Sequence, residues 1–334
     1  MFTPKPKIVQ KSDNFVINQL VPMKIVFLDA ATVGQSPALE KIASFGEFVS
    51  YGRTSAAETP GRVADCDIAI TNKVVFDRKV IDAAPRLKLI CVTATGVNNI
   101  DLEYAAQRGI AVKNVADYST ESVTQTTFML IFSLLGHSGY WDDYVKSGEW
   151  TRSGLFTDIS HSWWQLAGKR MGIIGMGKIG QRVAAVARAF GMDVVYFSTS
   201  GTNHCGDYPA LLLEELLSTS DIISIHAPLN ERTRNLIAAP ELAKMKETAL
   251  MVNVGRGGIV NEADLAEALD GGTIGGAALD VFTAEPLPKD HPLLNLKHPE
   301  RARFTPHVAW TSDEARTLLM ERVAANIEDF ILQK

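Results

Sequence analysis

The sequence predicts an α/β protein built on doubly wound parallel sheets, and three observations lead there. Residues 171–197 read as strand, glycine turn, helix and second strand, with Gly175-Met176-Gly177-Lys178-Ile179-Gly180 at the first turn. Short apolar runs alternate with helical patterns both before and after this unit, the pattern of parallel strands covered by crossover helices. The chain has 334 residues, 46% of them hydrophobic and 21% charged, so it is long enough for two globular cores and too apolar for disorder.

Taken in order, residues 1–22 mix Lys5, Pro6, Lys7, Lys11 and Asp13 without the sustained apolar core of a signal peptide, and are expected to be a loose N-terminal extension. The first strand is expected at residues 24–29. Strands at 48–51, 68–71, 89–92 and 111–112 follow, separated by helices at 38–45, 77–83 and 102–108. Residues 121–135 have the spacing of a long helix, with Ser119 or Thr120 offering a polar cap. Beyond it, Trp141, Trp150, Trp163 and Trp164 fall in a stretch that reads as less regular, either an interface between subunits or a packed loop. After the glycine unit, helices are expected at 212–217, 241–245 and 262–269. Strands are expected at 222–225, 249–254 and 275–280, with a last strand end at 304–307 and one long amphipathic helix at 312–332.

The glycine turn gives each glycine a physical task. Gly175 allows the tight turn, Gly177 lets backbone approach a pyrophosphate, and Gly180 lets helix and strand pack closely, so that the first helical amides face an anion. Other classes are excluded by composition. A net charge of −5 leaves no basic footprint for nucleic acid or an anionic membrane, and the most apolar stretch, residues 128–135, is too short to span a bilayer. Cys66, Cys91 and Cys205 are few, odd in number and without metal-ligand spacing, which points to a reducing cytoplasm, no disulfide framework and no metal.

A second constellation consists of Arg256, Glu285 and His307, all expected just beyond strand ends, which share one edge in a parallel sheet. An arginine fork there can clamp a carboxylate. A histidine following Pro306 is by itself more simply a packed residue; with Arg256 and Glu285 it becomes an acid-base candidate, because a neighbouring carboxylate favours the protonated imidazole. His226, ahead of Ala227-Pro228, reads as a wall of a cofactor site rather than as a catalyst. Lys73 reads equally as a solvated turn lysine or a substrate contact, and Trp310 as either pocket or packing. His137, His161, His204, His291 and His298 carry no motif.

Leu166-Ala167-Gly168 through the glycine loop, Ser224 to Leu229, Val252 to Gly258, Ala278 to Leu287 and Thr305-Pro306-His307 together resemble the D-isomer-specific 2-hydroxyacid dehydrogenase family, over nearly everything after Met23. Thr71-Asn72-Lys73, Ala94-Thr95-Gly96 and His307-Val308-Ala309-Trp310 are most similar to its glycerate dehydrogenases, or hydroxypyruvate reductases. The resemblance implies two Rossmann-like domains, with an NAD(P)-binding domain (120–308) inserted into a flavodoxin-like substrate domain (23–119 and 309–334). It implies a homodimer, joined through the 121–135 helix and the tryptophan-rich stretch. It also implies interconversion of a small 2-keto acid and its D-2-hydroxy acid, with hydroxypyruvate or glyoxylate as first candidates. Arg256 would bind the carboxylate and polarise the carbonyl, His307 would be the acid-base, and Glu285 would orient and charge the imidazole. The backbone near Thr95 and Gly96, with Lys73 and Trp310, would complete the substrate contacts. Lys178 and Ile179 would meet the pyrophosphate. His226, Pro228 and Val254 to Arg256, including Gly255, would line the cofactor, and Asp280 would take its carboxamide.

One position departs from the pattern. The second strand of the glycine unit ends in Ser198-Thr199-Ser200 instead of the acid that binds the adenosine ribose of NAD, and no lysine or arginine lies between Arg188 and Arg232. NAD and NADP are therefore both admitted. D-lactate-type and phosphoglycerate dehydrogenases are the alternative enzymes, and a dinucleotide-sensing corepressor-like protein is the alternative of another class.

Overall fold

A computed structural model of the chain describes residues 23–202 and 204–333; the expected extension at 1–22 lies outside the described residues. The described residues form two compact units: those up to Ala116 together with those from Leu319 onward, and Asp117–Leu318. These divisions fall at 116/117 and 318/319, against the 119/120 and 308/309 expected from the sequence.

The first unit holds β1 (Met23–Phe27), α1 (Ala38–Ala43), β2 (Gly46–Ser50), α2 (Thr59–Val63), β3 (Ile68–Thr71), α3 (Arg78–Asp82), β4 (Leu89–Val92), α4 (Leu102–Gln107) and β5 (Ala111–Lys113). Its strands pair in parallel in the order β2-β1-β3-β4-β5. The order reverses between β1 and β3, which is the flavodoxin-like arrangement. Asp77 and Asp101 start α3 and α4 by accepting the amides of Val80 and Tyr104, both at 2.9 Å.

The second unit begins with α5 (Thr120–Leu135), α6 (Ser138–Lys146) and α7 (Glu149–Ser153). The tryptophan-rich stretch is thus partly helical. Its helices bury no residue, although Tyr140, Trp141, Tyr144 and Val145 recur at helical spacing along α6. Ser119 occupies the cap position of α5, but its hydroxyl makes no capping bond. Then come β6 (Arg170–Ile174), α8 (Lys178–Ala189), β7 (Asp193–Phe197), α9 (Leu213–Thr219), β8 (Ile222–Ile225), α10 (Ala239–Leu242), β9 (Leu250–Asn253), α11 (Glu262–Gly271), β10 (Gly276–Leu279), β11 (Ala302–Phe304) and α12 (Asp313–Leu332), within which the unit boundary falls.

The sheet of the second unit is parallel throughout, in the order β11-β10-β9-β8-β6-β7. Its strands are buried on both faces, which is why they read as continuous apolar runs. Along them, alternate residues enter two cores. Met171, Ile173, Leu250, Val252 and Ala278 join Val123, Ile131 and Val183 from α5 and α8, whereas Ile174, Met251, Ala277 and Leu279 join Leu216, Leu242 and Leu265 from α9, α10 and α11. Two helical layers on one sheet leave only its ends open, and the order reverses between β6 and β8.

α12 places Ala315, Leu319, Met320, Val323, Ala324 and Ile327 on one buried stripe. Within the first unit, its later turns pair Glu328 with Lys41 at 2.8 Å and lead Asn326 to the Asn114 carbonyl at 3.2 Å.

Candidate active site

The glycine turn joins β6 to α8. Gly175 has φ 96°, and a Cβ there would lie 2.8 Å from the Ala227 amide nitrogen and 2.9 Å from the His226 carbonyl carbon, so only glycine lets the two strand exits cross. A Cβ on Gly180 would fall 2.2 Å from the Gly175 carbonyl oxygen, which is the close helix-to-strand packing the motif requires. Gly177 differs: nothing lies within 4 Å of its Cβ position, leaving open room for a ligand to meet the backbone at the start of a helix of 12 residues. Ile179 turns its side chain into the core beneath α5 and α8, so its backbone is the part it can offer. Lys178 is exposed and paired with Asp117. These residues fit a pyrophosphate.

Beyond β8, His226 gives Nε2 to a hydrogen bond with Ser224 Oγ at 2.8 Å, while its Nδ1 is buried without a partner. Burial pushes the imidazole down to about 3, so it is a neutral wall and no proton donor near neutrality. Pro228 is exposed, and its carbonyl accepts the Thr233 hydroxyl at 2.6 Å. Beyond β7, Ser198 and Thr199 are half-buried, and Ser198 Oγ is enclosed without a partner.

At the other end of the sheet edge, Asn253, Leu279 and Phe304 lie side by side at the ends of β9, β10 and β11. The Asn253 side chain accepts the Gly255 amide and donates to the Arg256 carbonyl, both at 3.0 Å, folding the turn that carries Arg256. Gly257 holds this turn against the next loop: a Cβ there would fall 2.0 Å from the Phe282 carbonyl carbon. Arg256 Nη1 donates to the Gly255 carbonyl at 2.8 Å. Nearby Tyr118 is pushed up to about 12 by burial, against the pull of the Arg256 charge, and stays a neutral phenol, its ring meeting Trp310 edge-on at 6.2 Å.

Glu285 Oε1 accepts the Phe282 amide at 3.0 Å, and Oε2 lies 2.7 Å from His307 Nδ1. An ionised carboxylate only accepts, so Nδ1 donates and Nε2 is the ring nitrogen not engaged by Glu285. The pair is not sealed: the side chains remain 22% and 29% exposed. His307 has φ 56°, rare for a residue with a Cβ, and its amide donates to the Asp280 carbonyl at 2.8 Å. Asp280 is fully buried. It accepts the Thr305 hydroxyl (2.6 Å) and the amides of Val308 (2.8 Å) and Ala309 (2.9 Å), which oppose the upward push of burial on its carboxyl. Its side chain thus braces the His307 segment.

The structure therefore brings Arg256, Glu285 and His307 to one edge of one sheet. Lys73, Thr95 and Gly96 belong to the other unit. There Asp29, buried, accepts the amides of Asn72 (2.8 Å) and Lys73 (2.7 Å) and shapes the turn after β3, while Thr95 Oγ1 donates to the Val115 carbonyl at 3.1 Å. Burial is the main influence on the Asp29 carboxyl, raising it against these hydrogen bonds.

Sequence reasoning passed over several positioning residues. Asn253 was legible as a polar residue closing an apolar strand; Tyr118 carried no signal. His291, set aside, bonds Glu262 at 2.8 Å, and Glu262 in turn accepts the Thr283 amide and hydroxyl, two residues before Glu285. Among the described residues no group of three or more His, Cys, Asp or Glu could hold a metal ion, and no helix is long and apolar enough to cross a membrane.

Residues 128–309 match the family described as D-isomer specific 2-hydroxyacid dehydrogenase, NAD binding domain. The chain is 36% identical to a hydroxypyruvate reductase of Blautia hydrogenotrophica, over 92% of this chain and 97% of that protein. It is also 36% identical to a glycerate dehydrogenase of Methylorubrum extorquens, over 93% and 97%. In structure it is similar to an NADPH-dependent glyoxylate/hydroxypyruvate reductase of Sinorhizobium meliloti solved with NADP and malonate, at TM-score 0.78 and 27% identity, covering 93% of this chain and 94% of that one. The chain belongs to the D-isomer-specific 2-hydroxyacid dehydrogenase family, and its cofactor is a nicotinamide dinucleotide.

His226, a neutral ring with its Nδ1 enclosed, generates a stability prediction. Folded, the ring stays unprotonated down to about 3; unfolded, it takes a proton near 6.5. The unfolded chain thus binds more protons between those limits, so the contribution of His226 to stability is full above 6.5 and is lost as pH falls. Denaturant unfolding of His226→Gln should lose less stability than the parent between about pH 7 and about pH 4.5. Parallel losses in both proteins would contradict the assignment.

Proposed function

We propose that the chain reversibly reduces a small 2-keto acid to its D-2-hydroxy acid, with hydroxypyruvate or glyoxylate as preferred substrate. The observation that carries the reading is the 2.7 Å His307–Glu285 pair, on the same sheet edge as Arg256. The names of the relatives support the substrate class.

When bound, the reduced nicotinamide supplies a hydride to the keto carbon. As that carbon accepts it, the carbonyl oxygen gains charge, and His307 Nε2 is the atom proposed to deliver the proton. Glu285 fixes the orientation of the ring through Nδ1. The Arg256 fork is suited to the substrate carboxylate and to the polarised carbonyl, as a planar pair of donors on two oxygens. Lys73, the backbone at Thr95 and Gly96, and Trp310 are proposed as further substrate contacts on the family resemblance. In oxidation the neutral imidazole takes the proton back, so the two directions need opposite charge states of one ring.

The direct test is a panel of hydroxypyruvate, glyoxylate and pyruvate with NADH and NADPH. Hydroxypyruvate should outperform pyruvate, because Asn72, Lys73 and Asn98 put polar groups on loops suited to a 3-hydroxyl. His307→Ala should lower kcat by about 10²- to 10⁴-fold while sparing dinucleotide affinity. Tight dinucleotide binding without turnover of any 2-keto acid would favour a sensing protein and refute the enzyme.

We further propose that two copies pair through the region of α5 to α7 and the loop after it, in a reducing cytoplasm where Cys66, Cys91 and Cys205 stay free. In support, Phe156 and Ile159 are 90% and 87% exposed, and Phe132, Trp141, Trp163, Trp164 and Phe190 line an open apolar hollow. Sedimentation should give a dimer at micromolar concentration, and Ile159→Asp should weaken it; a monomeric parent would refute the proposal.

A further inference from the structure

We propose that Arg232 is the residue by which this chain selects a 2′-phosphorylated dinucleotide, so that NADP(H) binds better than NAD(H). The inference rests on the dinucleotide reading of the glycine turn and goes beyond it, because neither the motif nor the family assigns the choice. In a fold of this topology the adenosine ribose is read roughly 20 residues past the glycines, at the end of the second strand. That end is Ser198-Thr199-Ser200, and it carries no acid to receive a ribose diol or repel a phosphate.

The nearest arginine in sequence on the C-terminal side is Arg232, 32 positions past Ser200, but the fold closes that gap. Ile225 and Ile174 pair across β8 and β6, and Ile174 pairs with Phe197 of β7, so the loops after β7 and β8 leave from the same edge. The turn carrying Arg232 is fixed at both sides. Asn230 Oδ1 accepts the Arg232 amide at 2.9 Å, and Thr233 Oγ1 donates to the Pro228 carbonyl at 2.6 Å. From this turn the guanidinium reaches the Ser200 carbonyl, at 3.4 Å from Nη1.

That contact is long and engages a neutral oxygen with one nitrogen of a fork that can bind two oxygens at once. The side chain is exposed, and among the described residues no carboxylate is ion-paired with it. Ser198 Oγ, enclosed and unpartnered, belongs to the same three-residue segment that Arg232 touches at Ser200. An exposed cation with no ion-paired carboxylate among the described residues, held at the end of the second strand by its reach to Ser200, is matched to a phosphate dianion. A hydroxyl pair would leave the charge unused.

The test is calorimetric binding of NADP⁺ and NAD⁺ to the full chain, which reads selection without turnover. The parent should bind NADP⁺ about tenfold or more tighter than NAD⁺, as expected for hydrogen bonds to a charged group. Arg232→Gln should bring the two affinities close to parity, by weakening NADP⁺ and not by strengthening NAD⁺, and Arg232→Lys should keep part of the preference. Added salt should erode the preference in the parent more than in Arg232→Gln. A parent that binds both dinucleotides equally, or an Arg232→Gln variant that keeps the parental preference, would overturn the proposal and leave the dinucleotide site standing. A parent that binds neither dinucleotide would overturn the reading of the glycine turn itself, and this proposal with it.

Discussion

The buried carboxylate of Asp280 is the constraint on which the rest of the site depends. A carboxylate removed from water must be satisfied by donors, and here they come from one short segment: Thr305, Val308 and Ala309. Accepting all three bends the chain after β11 into a tight turn. His307 sits at its centre in the left-handed region, its amide held by the Asp280 carbonyl. A residue with a Cβ adopts that conformation only where its surroundings impose it. The imidazole is therefore aimed by the backbone before Glu285 touches it, and Glu285 is held separately by the Phe282 amide.

The parallel sheet explains why such distant residues act together. Its six strands all end on one edge, and the loops beyond that edge divide the work. The glycine turn after β6 and the serines after β7 suit the phosphate and ribose end of a dinucleotide, while Arg256, Glu285 and His307 follow β9, β10 and β11. His226 lies beyond β8, between these groups, and burial keeps it neutral. One edge can thus place a hydride donor beside a proton donor without long structural detours. Cys66 and Cys91 take no part: both are buried, and burial pushes both thiols up to about 12.

Much of this was legible in the sequence because a parallel sheet covered on both faces writes itself as apolar runs. Ile68–Thr71, Leu89–Val92, Ile222–Ile225 and Asp193–Phe197 begin and end where those runs do. The glycine turn was legible because its residues are required by backbone contact, and Arg256, Glu285 and His307 because each follows a strand within a recognisable motif. Helices α6 and α7 were not read from it: both are short and bury nothing, and the helical spacing of Tyr140, Trp141, Tyr144 and Val145 along α6 was passed over among the tryptophans. The bracing by Asp280, the edge-on contact of Tyr118 with Trp310 and the approach of Arg232 to Ser200 depend on pairs far apart in the chain, and no local pattern reports them.

The central proposal is that Glu285 orients the His307 ring through Nδ1, so that Nε2 can serve the reacting oxygen. The most direct measurement is keto-acid reduction by Glu285→Gln beside the parent, with dinucleotide affinity measured on both. The variant should lose about tenfold or more in kcat while keeping the parental dinucleotide affinity. Parental turnover in Glu285→Gln would contradict the account and leave the 2.7 Å contact a matter of packing alone.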